Sequence, residues 1–409
     1  MSNNDLIEEQ TLSYYHLKRY YPVRIGDTLK DRYRIIAKLG YGAYSTVWLA
    51  WDERNKQYTS LKVCIEQVDD KPSPVLNEVK MLRRMKEFAE AASHPGLCFI
   101  RLATDIFELH TSSGRHYCIA AKPQGHSLRT LQTTFPNAQV PGLLVRSLMH
   151  RLFFAVNWLH ATCRLIHTDI SPLNVLTEIE DDASLKDIEQ QEAQDPSIPI
   201  ICEFSGAPVY RSREPFLQLS GIPILTDFGH IREYDYYDYR INKDWIMPDL
   251  YRAPEILLQI PWTLQVDMWS VGVMTLELME GKNLFDPIDR VNHQYVLPLA
   301  LAQYIGYLGP PPLHMLQESP LFSTYFDEKG NWTVAEAPIP QTSLEEFVTT
   351  IPPGEEKEQF LRFIRKMLAW DPEERATANE MIDEDEWLQR PFHDMIEMKR
   401  LGDAQEICA

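Results

Sequence analysis

The sequence predicts an α+β protein of two lobes, a small strand-rich lobe followed by a larger helical one. Two patterns predict it. Between residues 33 and 120 short runs rich in β-branched and aromatic residues follow one another, and after Gly125 apolar residues recur at helical period. A length of 409 residues with 44% hydrophobic content allows a core large enough for both lobes.

The strand-like runs are residues 33–39, 46–51, 58–65, 100–109 and 116–121. Among them, residues 76–92 carry Val79, Leu82, Met85 and Phe88 at helical spacing. Residues 143–160, 256–279 and 357–370 read as helices of the second lobe, the middle one interrupted by Pro261. Residues 178–220 break the rhythm. Acids cluster there (Glu178, Glu180, Asp181, Asp182, Glu189, Glu192, Asp195) with little periodicity, and the segment is expected to be a solvated, partly disordered insertion.

Asp and Glu number 59 against 40 Lys and Arg, a formal charge of -19, which argues against nonspecific binding of nucleic acid or an anionic membrane and favours basic partners. The same acidity also serves solubility. The six cysteines show no C-x-x-C spacing, so neither a zinc site nor a disulfide framework is expected, and a reducing compartment fits. Residues 1–10 are polar and acidic, without the apolar stretch of a secretion signal, and apolar runs such as 297–307 are too short to span a bilayer. The expectation is an intracellular protein, cytoplasmic or nuclear, monomeric, with neither membrane nor nucleic acid as a partner.

The first chemical signal is Leu39-Gly40-Tyr41-Gly42-Ala43-Tyr44-Ser45-Thr46-Val47, set between two predicted strands. Its two glycines let backbone approach phosphate oxygens, so a strand-turn-strand flap could close over a nucleotide. A plain Gly-rich hairpin explains the stretch equally well when it is taken alone. Lys62 follows inside an apolar strand, where a charge needs a partner, and Glu78 on the next helix can supply one. The third signal is Ile166-His167-Thr168-Asp169-Ile170-Ser171-Pro172-Leu173-Asn174, followed by Thr226-Asp227-Phe228-Gly229. Asp169 can accept the proton of a substrate hydroxyl, and Asn174 and Asp227 offer hard oxygens to Mg2+. Each of these alone reads as a turn residue. Together a flap, an amine, a base and two metal ligands are nearly the full inventory for phosphoryl transfer from ATP.

Over about residues 33–391 these motifs resemble the eukaryotic protein kinase family. Arg252-Ala253-Pro254-Glu255 is similar to the family's Ala-Pro-Glu element, Asp267-Met268-Trp269-Ser270-Val271-Gly272 to the start of its buried central helix, and Arg375 to the arginine that pairs with the glutamate. The resemblance implies the bilobal protein-kinase fold. An antiparallel sheet with one key helix would occupy 33–124, and a mainly helical lobe 125–391 would carry the insertion 178–220, between an extension 1–32 and a tail 392–409. It further implies ATP-dependent phosphorylation of protein serine or threonine. ATP would be bound by residues 39–47 and Lys62, Mg2+ by Asn174 and Asp227, with Asp169 as base and Glu78 holding Lys62. In the hinge, Ala121 falls at the gatekeeper position and the backbone of Lys122 and Gln124 faces adenine. A residue as small as Ala121 predicts a roomy back pocket open to bulky adenine analogues.

Three strings narrow the resemblance to the SR-protein kinases, especially the divergent fungal members: Tyr21-Pro22-Val23-Arg24-Ile25-Gly26-Asp27, Ser45-Thr46-Val47-Trp48-Leu49-Ala50-Trp51-Asp52 and His167-Thr168-Asp169-Ile170. Leu308-Gly309-Pro310-Pro311-Pro312 is similar to the helical insert of the wider group that contains cyclin-dependent and MAP kinases. The implied substrates are basic, Arg-Ser-rich proteins. Three positions depart from the common pattern. Ser45 stands at the third flap glycine, Thr168 replaces the arginine that commonly clamps an activation-loop phosphate, and Ser171 replaces a lysine that touches the γ-phosphate. Between Gly229 and Glu255 there is no Ser or Thr, only Tyr234, Tyr236, Tyr237, Tyr239 and Tyr251, so a segment competent without Ser or Thr phosphorylation is expected. Ser171 keeps an alternative open, a nucleotide-binding pseudokinase acting as a scaffold.

Overall fold

The structure, a computed structural model, describes residues 6–13, 15, 19–67, 71–112, 114–201, 206–215, 220–234 and 242–389. Two compact units share the chain: Met1–Ser93 with Ile100–Leu128 and Leu176–Ile231, and His94–Phe99 with Arg129–Val175 and Arg232–Ala409.

The first unit is built on a six-stranded sheet in the order β1-β2-β3-β4-β6-β5. Its strands are β1 Thr28–Leu29, β2 Tyr33–Gly42, β3 Ser45–Asp52, β4 Gln57–Cys64, β5 Ala103–His110 and β6 Arg115–Ala121, and every neighbouring pair is antiparallel. The predicted runs become these strands because their alternate residues share a face. Ile35, Trp48, Ala50, Leu61, Val63, Phe107, Cys118 and Ala120 pack into one buried cluster with Val23, Leu29 and Tyr33. The predicted helix is α1, Pro74–Ala91. Ser73 caps it by accepting the Leu76 N–H at 3.1 Å, and Pro74 opens it where no donor is needed. Its buried face carries Val75, Glu78, Val79, Leu82 and Met85.

The segment 178–220 differs from the expected disordered insertion. A helix, Ala183–Gln194, buries Leu185 and Ile188 against Ile36, Ala37, Leu49 and Tyr58. Its acids have partners: Glu189 accepts the Tyr58 hydroxyl at 2.6 Å and Arg34 at 3.2 Å, while Glu192 accepts Ser197 and Arg213. Leu185, Ile188 and Glu192 lie at i, i+3 and i+7, which is one helical face, but two apolar residues among many acids give a weak periodic signal. Residues 202–205 and 216–219 of this segment lie outside the described residues.

In the second unit the predicted stretch 143–160 forms a helix, Gly142–Asn157, that runs into a π-helical turn, Trp158–Cys163. The stretch 256–279 splits on either side of Pro261 into Pro254–Leu257 and Gln265–Glu280. The second of these is buried from Val266 to Glu280, so its polar residues must find partners inside the protein.

The shorter helix, Pro254–Leu257, carries a buried charge, Glu255, which is paired with Arg375. Both side chains are wholly buried, and two parallel bonds of 2.7 Å join the guanidinium to the carboxylate. The remaining guanidinium N–H groups go to the carbonyls of Ala369, Gln265 and Trp370. Removing one partner strands the other in a dry interior. Arg375→Ala is therefore expected to lower the free energy of chemical unfolding by about 3–5 kcal/mol, and the double variant Arg375→Met with Glu255→Leu to recover a large part of the loss. Urea titrations followed by tryptophan fluorescence check this, and a single-variant loss below about 1 kcal/mol would contradict it.

Candidate active site

Ser60, Lys62 and Cys64 alternate along β4 and so share one face. The Lys62 ammonium bonds both Glu78 carboxylate oxygens, at 2.8 and 2.7 Å, and Asp227 Oδ1 lies 3.7 Å away. Burial by itself would depress the Lys62 pKa, but the charges of Glu78 and Asp227 outweigh it and hold the ammonium above its ordinary value. Asp227 adopts the left-handed backbone, φ 65°, a region that Asp tolerates better than most residues. The Asn77 amide of α1 donates to the carbonyls of Gly229 and Ile231 at 3.0 and 2.9 Å. One helix thus supplies the partner of Lys62 and also fixes the backbone that follows Asp227.

Of the flap residues, Leu39, Gly40, Tyr41 and Gly42 end β2, Ala43 and Tyr44 form the turn, and Ser45, Thr46 and Val47 begin β3. A side chain added at Gly40 or Gly42 would meet nothing within 4 Å, so packing inside the protein does not demand either glycine. Residues Gly42 to Ser45 line a cavity of about 200 Å³ together with Lys62, Glu78, Asp227 and His230. That is smaller than the about 300–1,000 Å³ of a whole-ligand pocket and suits the phosphate end of a nucleotide. Cys64 also lines it, with burial pushing the thiol up to about 12, so it acts as an apolar wall rather than a nucleophile.

Ala121 ends β6, the Lys122 ammonium is drawn to Glu178 at 2.5 Å, and Gln124 starts a short strand, Gln124–Ser127. The space beside Ala121 holds a residue the sequence reading missed. Arg101 Nη2 donates to Ser60 Oγ at 2.6 Å, and Ser60 pairs with Ala121 across β4 and β6. Paired residues of antiparallel strands present their side chains to the same face. The guanidinium therefore stands beside Ala121 on the Lys62 face, with its Nε buried and unpartnered. Burial lowers its pKa, and Glu78 and Asp227 work against that loss. The available signal was a charge within the predicted strand run 100–109, the argument that had singled out Lys62.

Asp169 and Asn174 belong to the second unit, Lys62, Glu78 and Asp227 to the first. The loop that carries Asp169 is organised by Asp267, a wholly buried carboxylate at the start of the helix Gln265–Glu280. It accepts the backbone N–H groups of His167 at 2.7 Å and Thr168 at 2.8 Å, and bonds His160 Nε2 at 2.9 Å. Thr168 has φ 66°, strained for a β-branched residue, and its N–H bond to Asp267 helps to hold it there. His167 Nδ1 accepts the Asp169 N–H at 3.2 Å. Asn174 Nδ2 donates to the Asp169 carbonyl and to its carboxylate Oδ2, both at 2.8 Å, which leaves the amide oxygen as its atom for a cation. Ser171 is buried, and its carbonyl accepts the Asn174 N–H at 3.0 Å, closing the turn.

The amide oxygen of Asn174 and the carboxylate of Asp227 are the hard oxygen donors that a divalent ion prefers. Among the described residues no three His, Cys, Asp or Glu gather as a metal site. Of the tyrosines singled out, Tyr251 is buried with its hydroxyl bonded to Glu277 and to Arg129, and Tyr236, Tyr237 and Tyr239 lie outside the described residues. No helix of the described residues is long and apolar enough to cross a membrane.

The protein kinase domain family matches residues 33–388. A serine/threonine protein kinase of Aspergillus fumigatus is 35% identical over 387 residues, 93% of this chain and 91% of the relative. The serine/threonine-protein kinase SRPK of Physarum polycephalum is 28% identical over 92% of this chain and 90% of its own. SRSF protein kinase 3 of Mus musculus is 33% identical over 159 residues, 38% of this chain and 27% of that one. Matched along nearly its whole length, the chain belongs to the protein kinase family, on its serine/threonine kinase branch alongside SR-protein kinase-like relatives.

Proposed function

We propose that the chain transfers the γ-phosphate of ATP, with Mg2+, to serine or threonine in basic, Arg-Ser-rich proteins. The observation that carries the reading is the partly buried Lys62, kept cationic by Glu78 beside Asp227 in a cavity lined by the Gly42 to Ser45 turn. Use of ATP and a divalent metal, and a protein as acceptor, follow from family membership.

In this reading Lys62 binds the α- and β-phosphate oxygens, the backbone of residues 39–47 covers the phosphates, and the backbone of Lys122 and Gln124 meets adenine. Asn174 and Asp227 would hold the Mg2+, which when bound neutralises charge on the phosphate oxygens. Asp169 accepts the proton of the substrate hydroxyl while its oxygen bonds to the γ-phosphorus and the bond to the ADP oxygen breaks. The bond from Asn174 to Asp169 supports this role by orienting the carboxylate. With serine at 171 the charge of the usual lysine is missing, and stabilisation of the γ-phosphate rests on the other groups. The acidic surplus of 59 Asp and Glu over 40 Lys and Arg supports a basic substrate.

Two outcomes test the reading. In radiolabelled phosphate transfer to an Arg-Ser peptide, Asp169→Ala is expected to lower kcat by about 10²- to 10⁴-fold with little change in ATP binding. The wild type should prefer that peptide to a generic basic protein. Equal transfer by wild type and variant would refute the base, and equal use of both substrates would refute the substrate class. For the nucleotide, the Arg101 guanidinium, bonded to the Ser60 that pairs with Ala121, narrows the room there, so ATP analogues with a bulky apolar group on adenine N6 should compete poorly against wild type. Arg101→Ala should improve their competition by about tenfold or more, the worth of burying one apolar group. Strong competition against wild type in a steady-state assay would show that the guanidinium does not close that space.

A further inference from the structure

The extension ahead of residue 33 lies outside the stretch matched to the kinase domain, yet it grips the β2–β3 hairpin at two levels. Midway along β2 the Lys38 side chain is wholly buried, where the Glu9 carboxylate meets it and the Tyr210 carbonyl accepts from it at 3.1 Å. At the hairpin tip Tyr20 donates its hydroxyl to the Gly42 carbonyl at 3.0 Å, with the Ala43 carbonyl as a second acceptor at 3.3 Å. Tyr20 is itself held in place. The Tyr15 ring stacks on it at 5.2 Å, the Arg19 carbonyl accepts the Glu66 N–H at 2.9 Å, and the Arg19 guanidinium pairs with the Glu66 carboxylate at 3.1 Å. Burial, and then the charge of Glu9, push the Tyr20 hydroxyl up to about 12, so it remains a donor at neutral pH.

In a planar trans peptide the carbonyl and the following N–H point in opposite directions. Holding the Gly42 and Ala43 carbonyls toward Tyr20 therefore turns the N–H groups of Ala43 and Tyr44 to the other side. Residues 42–45 are also those that line the cavity shared with Lys62 and Asp227. Gly42 has no side chain of its own to set the orientation of this peptide, and the space around its Cα is open.

We propose that Tyr20 is a positioning residue for phosphoryl transfer: by holding two carbonyls of the flap it presets the backbone N–H groups that meet the phosphates of ATP. The proposal rests on the reading of residues 39–47 as the flap over ATP. Tyr20 touches neither substrate nor metal, and its effect passes through the flap backbone alone.

Tyr20→Phe removes the donor and keeps the ring. Two measurements on the full chain test it: amide hydrogen exchange at residues 42–45 without nucleotide, and steady-state kinetics with ATP and peptide varied separately. The expected result is exchange at the tip faster by about threefold or more and a KM for ATP raised about three- to tenfold, the worth of one hydrogen bond. The KM for peptide should stay at its wild-type value and the melting temperature should fall by no more than about 2–4 °C, a split that a merely structural role would not produce. Unchanged exchange at residues 42–45 overturns the proposal and leaves the flap reading standing. Faster exchange with an unchanged KM for ATP overturns it too, and turns the doubt onto the flap reading itself.

Discussion

A charge drawn out of water must find a counter-charge or hydrogen-bond partners, and the partly buried Lys62 imposes that requirement on the elements around it. The ammonium projects from the sheet where little water reaches it, so helix α1 is placed where Glu78 can meet it. Once there, α1 also brings Asn77 to the carbonyls beyond Asp227. The Asp227 carboxylate, the Lys62 amine and the cavity they line are thus positioned by one helix. Such pairs add little net stability, because desolvation cancels most of the attraction. Their worth is in geometry, since the charge ties the helix to the strand at a particular place.

The second unit obeys the same rule with the sign reversed. Asp267 is a buried anion satisfied by two backbone N–H groups and an imidazole. Because two of those donors are backbone, the carboxylate shapes the chain itself and helps to hold Thr168 at a positive φ that its branched side chain disfavours. The π-helical turn Trp158–Cys163 serves the same end, since it carries the His160 that reaches Asp267.

Much of this was legible in the sequence, and what was not has physical reasons. The strands and α1 were visible because apolar residues repeat along them over many positions, and the reactive groups because each stands in a short motif whose neighbours are known. The helix Ala183–Gln194 was hidden because it buries only Leu185 and Ile188 amid acids, and those acids find partners far along the chain, such as Arg34 and Tyr58. Arg101 and Tyr20 were hidden for the same reason: their partners Ser60 and Gly42 stand 41 and 22 residues away. Periodicity reports burial along one element, whereas these contacts depend on how distant elements meet.

The same logic bears on how the stretch 245–252 is ordered. A phosphate would order such a segment by gathering arginines around a new anion, but Thr168 stands where the receiving arginine commonly lies. Here the cation is Arg252, buried against the rings of Trp245 and Tyr295 at 4.2 and 5.0 Å. It donates to the carbonyls of Ile246 and Met247 at 2.9 and 2.8 Å and pairs with Asp249 at 2.8 Å. Next to it the Tyr251 hydroxyl is spent on the Glu277 carboxylate, which also takes Arg129. Carbonyls and a carboxylate already present in the chain therefore satisfy the cation of this stretch. A charge added at Tyr251 would break its bond to Glu277 and set two anions side by side in a buried place.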